Sequence, residues 1–263
     1  MIASRLTRPL LAGVFALTGL AGCSHPALSE PVPVCKAQVL ESYPHDPRAF
    51  TEGLFYLDGL LWESTGLKGR SRVFSRRVED ATPLKVGEVD PTFFGEGIVP
   101  VGDEIISLTW RDGMAYRWDR ATMTAKELFV FTGEGWGMTA HGGTIWQSDG
   151  SATLRLRDPE TFAQVGSLAV TDGEGLPVDQ LNELEWIDGE IWANVWMEER
   201  IARIDQASGK VVGWIDLSGL AADAGARTPD DVANGIAWDE AGGRIFVTGK
   251  NWSKLYRIRP DCP

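Results

Sequence analysis

Five times along the 263-residue chain, an apolar segment runs into a tight turn rich in Asp and Gly and then into a second apolar segment. The copies lie at residues 53–62, 97–108, 137–146, 184–192 and 235–246, and their second turn residues are Gly59, Asp103, Gly143, Gly189 and Gly243. Asp-Gly and Gly-Gly supply the positive φ angles that two-residue hairpins need. The turns are 44, 40, 46 and 54 residues apart, a repeat of propeller-blade length. Each copy is followed by another strand pair, begun by segments such as Arg72-Val-Phe-Ser-Arg-Arg77 and Met114-Ala-Tyr-Arg-Trp-Asp119. Arg alternating with apolar residues suits half-exposed strands toward a blade's outer side. Five repeats of four strands predict an all-β chain, a five-bladed β-propeller with four antiparallel strands per blade. Within the long last step, residues 220–226 suit a short helix on a loop.

The ends of the chain are different in kind. Arg5 and Arg8 precede a short apolar run, and Leu20-Ala21-Gly22-Cys23 resembles the bacterial lipobox, which implies cleavage before Cys23 and a lipid on its sulfur. Ser24 in the next position fits sorting to the outer membrane. Residues 1–22 are therefore expected to be a lipoprotein-type signal peptide, residues 23–35 a Pro-rich tether, and residues 36–263 the propeller. An exported, lipid-anchored protein on the periplasmic face follows, touching the membrane only through its anchor. In that setting Cys35 and Cys262, the two remaining cysteines, are expected to form a disulfide that helps close the ring near the termini. The formal net charge of −12 argues against nucleic acid as a partner.

The repeat also aligns positions on one rim. Counting seven residues back from the turns reaches Glu52, Glu96, Trp136 and Asn182, and about Asn234 in the last copy, whose turn is two residues longer. Counting forward reaches Gly66, Trp110, Gly150, Trp196 and Lys250. Residues equally far from a hairpin turn lie opposite each other, so all ten are expected at one mouth of the central channel. Any one Trp there could pack between blades and any one polar residue could cap a turn. Their convergence instead suggests an apolar cup with a few placed polar groups.

The chemistry available to such a cup is narrow. The three histidines have no metal-ligand spacing, which speaks against a catalytic zinc, and there is no nucleophile elbow and no phosphate loop. Carboxylates, indoles, an amide and an ammonium remain. Glu96 stands between Gly95 and Gly97 after Phe93 and Phe94, where neither helix nor strand favours it, so the backbone there is expected to pass close to something. Beside Phe94, Trp110 and Trp136 its pKa should rise, which suits a proton carrier. Two other classes stay open on these residues: a noncatalytic peptide- or glycan-binding propeller, and a metal-dependent lactonase-like hydrolase.

Several segments together resemble the plant and bacterial type of glutaminyl-peptide cyclotransferase. They include 43–54, Trp62-Glu-Ser-Thr-Gly66, Phe94-Gly-Glu-Gly97, Leu108-Thr-Trp110, Gly135-Trp-Gly137, Asn182-Glu-Leu-Glu-Trp186, Ala193-Asn-Val-Trp196 and Val247-Thr-Gly-Lys250. The resemblance implies a five-bladed propeller that converts N-terminal glutamine of peptides or proteins to pyroglutamate with release of ammonia, without catalytic zinc; no other cofactor is expected, and the chain is expected to act as a monomer. A structural ion in the channel is compatible with it. Glu96 becomes the general acid/base, and Phe50, Glu52, Phe94, Trp110, Trp136, Asn182, Trp196 and Lys250 line the substrate pocket. Asn182 and an indole N–H are expected to polarise the amide oxygen, Lys250 to support charge at the mouth, and Glu52, where plant members have Gln, to help hold the α-ammonium.

Overall fold

The computed structural model describes Met1 and residues 31–262, so Cys23, the signal segment and most of the tether lie outside the described residues. Strand β1 (Val34–Pro44) opens the described chain, so strand begins within the expected tether. The described residues form twenty strands in all, with one short helix. Blade one holds β2 (Thr51–Leu57), β3 (Leu60–Thr65), β4 (Arg72–Arg76) and β5 (Lys85–Glu88). Blade two holds β6 (Gly95–Val101), β7 (Glu104–Thr109), β8 (Met114–Asp119) and β9 (Ala125–Val130). Blade three holds β10 (Met138–His141), β11 (Thr144–Gln147), β12 (Thr153–Arg157) and β13 (Gln164–Ala169). Blade four holds β14 (Leu181–Ile187), β15 (Glu190–Val195), β16 (Arg200–Asp205) and β17 (Val211–Asp216). After helix α1 (Leu220–Asp223), β18 (Ala233–Asp239), β19 (Arg244–Gly249) and β20 (Lys254–Asp261) form the last blade with β1 as its outer strand. The innermost strands β2, β6, β10, β14 and β18 touch in that order, and β18 returns to β2, which closes the ring.

The turns explain the inner hairpins. Asp58 and Gly59, with φ of 53° and 82°, join Leu57 to its partner Leu60, and Asp188 and Gly189 repeat this at 48° and 89°. Both residues being left-handed matches the strand twist, as in a type I′ turn.

In one respect the sheets depart from five independent blades: blades four and five form a single eight-stranded sheet. The reason is β1. It pairs antiparallel with β20 from Lys36↔Asp261 to Pro44↔Lys254, and its start also pairs parallel with β17 at Val34↔Trp214, Cys35↔Ile215 and Lys36↔Asp216. A disulfide between Cys35 and Cys262 reinforces this seam across 227 residues of sequence.

The expected equal-distance register also fails at the rim. β2, β6, β14 and β18 shift register between Thr51 and Gly53, Gly95 and Ile98, Leu181 and Leu184, and Ala233 and Ile236. These bulged stretches contain Glu52, Glu96, Asn182 and Asn234. An extra residue in one strand re-aims its side chain, which is why bulges gather beside functional sites. Trp110 accordingly pairs with Phe94 rather than Glu96, its N–H donating to the Phe94 carbonyl at 3.0 Å.

The close approach expected around Glu96 is present at Gly97. Its N–H donates to the Trp136 carbonyl at 2.7 Å, and a β-carbon there would stand 2.5 Å from that oxygen. Six of the eleven tryptophans, Trp62, Trp118, Trp146, Trp192, Trp214 and Trp252, are buried in the blade cores. That leaves Trp110, Trp136 and Trp196 for one mouth and Trp186 and Trp238 for the other.

Candidate active site

Nine residues singled out in the sequence, Glu96 with Phe50, Glu52, Phe94, Trp110, Trp136, Asn182, Trp196 and Lys250, line one cavity of about 380 Å³. They come from all five blades. Leu67, Arg111 and Asp230 complete the lining. Gly66 and Gly150, on the same rim, make room for it: a β-carbon would meet the Phe94 ring at 2.3 Å and the Trp136 ring at 2.6 Å respectively.

Two aromatic groups form the walls. Phe94 packs between Phe50, at 6.2 Å and nearly perpendicular, and Trp110, at 5.5 Å. On the next two blades, Trp136 and Trp196 meet edge to face at 5.7 Å. Such arrangements follow the ring quadrupoles and hold flat surfaces at fixed angles.

The polar groups lie deeper than expected. Lys250 is buried and not a charge at the mouth: its ammonium donates to Glu52 Oε1 at 2.9 Å, lies 2.8 Å from Oε2, and sits 4.7 Å from the centre of the Phe50 ring. Asn234 adds an Nδ2–H to Glu52 Oε2 at 3.1 Å. With these partners Glu52 serves as the counter-charge of Lys250, which leaves less of it for an incoming ammonium.

Glu96 is buried alongside, its main-chain carbonyl accepting from Ser64 Oγ at 2.6 Å. Burial holds the Glu96 carboxyl well above its ordinary range, and the Glu52 carboxylate adds to this while Lys250 opposes it. Burial also raises Glu52, but less, because the Lys250 ammonium and a hydrogen bond from Glu96 stabilise its charged form. The two acids are coupled, with the Glu96 carboxyl raised further than that of Glu52.

Two residues without a role in the sequence reading stand out. Glu134 Oε2 accepts from the Trp110 indole at 2.7 Å and from the Trp136 indole at 3.0 Å, so neither N–H is free to polarise a substrate carbonyl. Of the three indoles only Trp196 has an N–H without a partner among the described residues. Gly133-Glu134-Gly135 has the same Gly-Glu-Gly form as residues 95–97, a signal that could have marked it. Glu183, within the Asn182–Trp186 motif, is buried in the channel and joins three blades through N–H groups of Leu54 and Ile236, at 3.1 and 2.8 Å. The Asn182 and Asn234 side-chain oxygens are buried without a hydrogen-bond partner among the described residues.

A buried, coupled acid pair, a fixed ammonium and an unpaired carboxamide inside aromatic walls can move protons at a small polar ligand. The sequence model described as glutamine cyclotransferase matches residues 13–259. The glutaminyl-peptide cyclotransferase of Arabidopsis thaliana is 40% identical over 232 residues, covering 84% of this chain and 70% of the plant protein. The crystal structure of Myxococcus xanthus glutaminyl cyclase aligns with a TM-score of 0.83 at 35% identity, covering 89% of this chain and 100% of that one. With nearly its whole length matched in sequence and its blades matched in space, the chain belongs to the glutamine cyclotransferase family.

Proposed function

We propose that the protein cyclises N-terminal glutamine of peptides or proteins to pyroglutamate, releasing ammonia, with Glu96 carrying the proton. The observation that supports this most is the raised carboxyl of Glu96 beside a Glu52 carboxylate held by Lys250. A peptide α-ammonium ordinarily titrates near 8, far above a normal carboxyl. Raising Glu96 narrows that gap, so the bound ammonium can pass a proton to the Glu96 carboxylate and become a nucleophilic amine. The amine nitrogen then attacks the γ-carboxamide carbon, and the carbonyl electrons move to oxygen. Glu96 gives its proton to the departing nitrogen as the carbon–nitrogen bond breaks, and takes one from the newly bonded nitrogen. The released ammonia takes that last proton and leaves as ammonium, which returns Glu96 to its starting carboxylate.

Asn182 is the partner for the substrate carboxamide. Its Nδ2–H donates to the amide oxygen, while its unpaired Oδ1 accepts from the amide NH₂, a match that glutamate lacks. The Trp196 indole supplies the second donor to the oxygen, and Phe50, Phe94, Trp110 and Trp136 hold the chain folded for closure. No step calls for a metal or cofactor, and all nine residues belong to one chain, so a monomer suffices. Residues 1–23, read as an export signal and lipid site, would put this chemistry on peptides outside the cytoplasm.

Ammonia release from a Gln-initiated dipeptide tests the reading. Wild type should turn over in EDTA, and Glu96→Gln should lose about 10² to 10⁴ in rate. A wild type without turnover, or a variant at full rate, would leave the binding-module reading; activity lost only to chelation would favour the metal-dependent one.

A further inference from the structure

The wall formed by Trp110 and Trp136 joins two blades, and nothing in either hairpin makes the two rings keep a common geometry. Trp110 follows β7 and Trp136 precedes β10. What links them is a single oxygen: Glu134 Oε2 takes both indole N–H groups, at 2.7 and 3.0 Å, while Oε1 takes the Arg111 guanidinium at 2.9 Å. Arg111 in turn lies over the Trp110 ring, 3.8 Å from its centre, so that ring is held from its edge and its face. The backbone braces the carboxylate from both sides: the next residue, Gly135, donates its N–H to the Trp110 carbonyl at 2.9 Å, and Gln147 Nε2 donates to the Glu134 carbonyl at 3.2 Å. A β-carbon at Gly135 would stand 3.0 Å from the Thr109 carbonyl, so this close path depends on glycine.

We propose that Glu134 is a positioning residue for the cyclisation, clamping the Trp110 and Trp136 indoles into one wall and withholding both N–H groups from the substrate. The inference rests on the function proposed above. A neutral glutamine side chain held between aromatic faces must fold onto its own amine, and free indole donors there would compete by binding its amide oxygen in unproductive poses. Occupying them leaves the amide to Asn182 and Trp196. The acceptor is charged: burial raises the Glu134 carboxyl, but hydrogen bonds from Trp136, Arg111 and Trp110 outweigh it and hold the carboxyl below its ordinary range. Its negative charge also adds a smaller push to the raised Glu96.

The test uses Glu134→Ala and the near-isosteric Glu134→Gln in the folded enzyme. Steady-state kinetics on a Gln-initiated dipeptide are paired with ¹H–¹⁵N spectra of the indole N–H groups, assigned with Trp110→Phe and Trp136→Phe. Glu134→Ala should lower kcat/KM about 100-fold, mostly in kcat, and move both indole resonances. Glu134→Gln should recover most of the rate at neutral pH, since its oxygen can still accept, but shift the acid limb of the pH profile downward. Kinetics of Glu134→Ala within twofold of wild type would overturn the proposal. So would a loss of rate with both indole resonances unmoved, which would make Glu134 a substrate contact. If wild type releases no ammonia, the cyclase reading fails, and the indole spectra still report whether the clamp exists.

Discussion

Lys250 and Glu52 form a two-point contact at the floor of the cavity, the ammonium lying 2.9 Å from Oε1 and 2.8 Å from Oε2 of the carboxylate, with both side chains nearly sealed from water. The pair joins the first blade to the last, and its ammonium opposes the rise of both neighbouring carboxyls. Removing the ammonium should therefore cost more than a surface ion pair. Lys250→Met should lose about 3–5 kcal/mol in urea unfolding at pH 7, because Glu52 is left buried and unmatched. Without Lys250 the Glu52 carboxyl rises further, so the deficit should shrink below the ordinary carboxyl range, where Glu52 is neutral in both states. Adding Glu52→Gln should restore much of the loss; no restoration would mean that the charge pair is not what Lys250 supplies.

Glu52→Gln alone should shift the pH profile more than abolish activity. The Glu52 charge helps to raise Glu96, so its removal lowers Glu96 and moves the acid limb of kcat/KM to lower pH. An unmoved limb would mean that the acids are uncoupled, and complete loss of turnover would make Glu52 the proton carrier.

Behind the site Glu63 is buried with His45 Nε2 at 3.0 Å, Thr51 Oγ1 at 2.8 Å and Arg76 Nε at 3.4 Å. Burial alone would raise its carboxyl, but His45, Arg76 and the Thr51 hydroxyl together hold it down to about 2. Its folded value is thus depressed from 4.5, and the linked stability, about 3 kcal/mol, is present above that value and lost as pH falls toward 2. Wild type should be the more stable protein at pH 7, and the gap to Glu63→Gln should narrow below the ordinary carboxyl range and close only as pH falls through about 2. A gap constant across that range would show that the charge contributes nothing.

The Cys35–Cys262 bridge closes a loop spanning 227 residues. Cys262→Ser together with Cys35→Ser should lower stability by about 2–4 kcal/mol, and Tm by roughly 5–15 °C. Because β1 also pairs with β17 and β20, the variant should still fold. Loss of the native circular dichroism spectrum at 25 °C would mean that strand pairing alone does not close the ring.

The inner hairpins were legible because their information is local. Asp58-Gly59 and Asp188-Gly189 specify a turn through their own backbone preferences, and the spacing of such turns gives a blade count whatever lies between them. The same count put Glu52, Glu96, Asn182 and Lys250 on one rim, and all four line one cavity. It did not show the bulges, because an extra residue leaves the apolar alternation on the turn side intact. Nor did it show that Lys250 lies at the floor, since depth depends on how neighbouring blades pack.

Glu134 marks the other limit. Its two indole partners are close in sequence on one side and 24 residues away on the other, and a Glu between glycines carries no mark of which donors it will meet. The parallel seam of β1 and β17 is similar, for it joins residues about 180 positions apart that share no local pattern. By itself the sequence determined the repeat, the turns and the set of chemical groups facing one mouth, because these follow from backbone preference and strand period. Only the tertiary structure decided which acid is raised further, which indoles remain free and how the ring is sealed. Those outcomes depend on burial and on distances between blades, where a few tenths of an ångström and the loss of water set the energies.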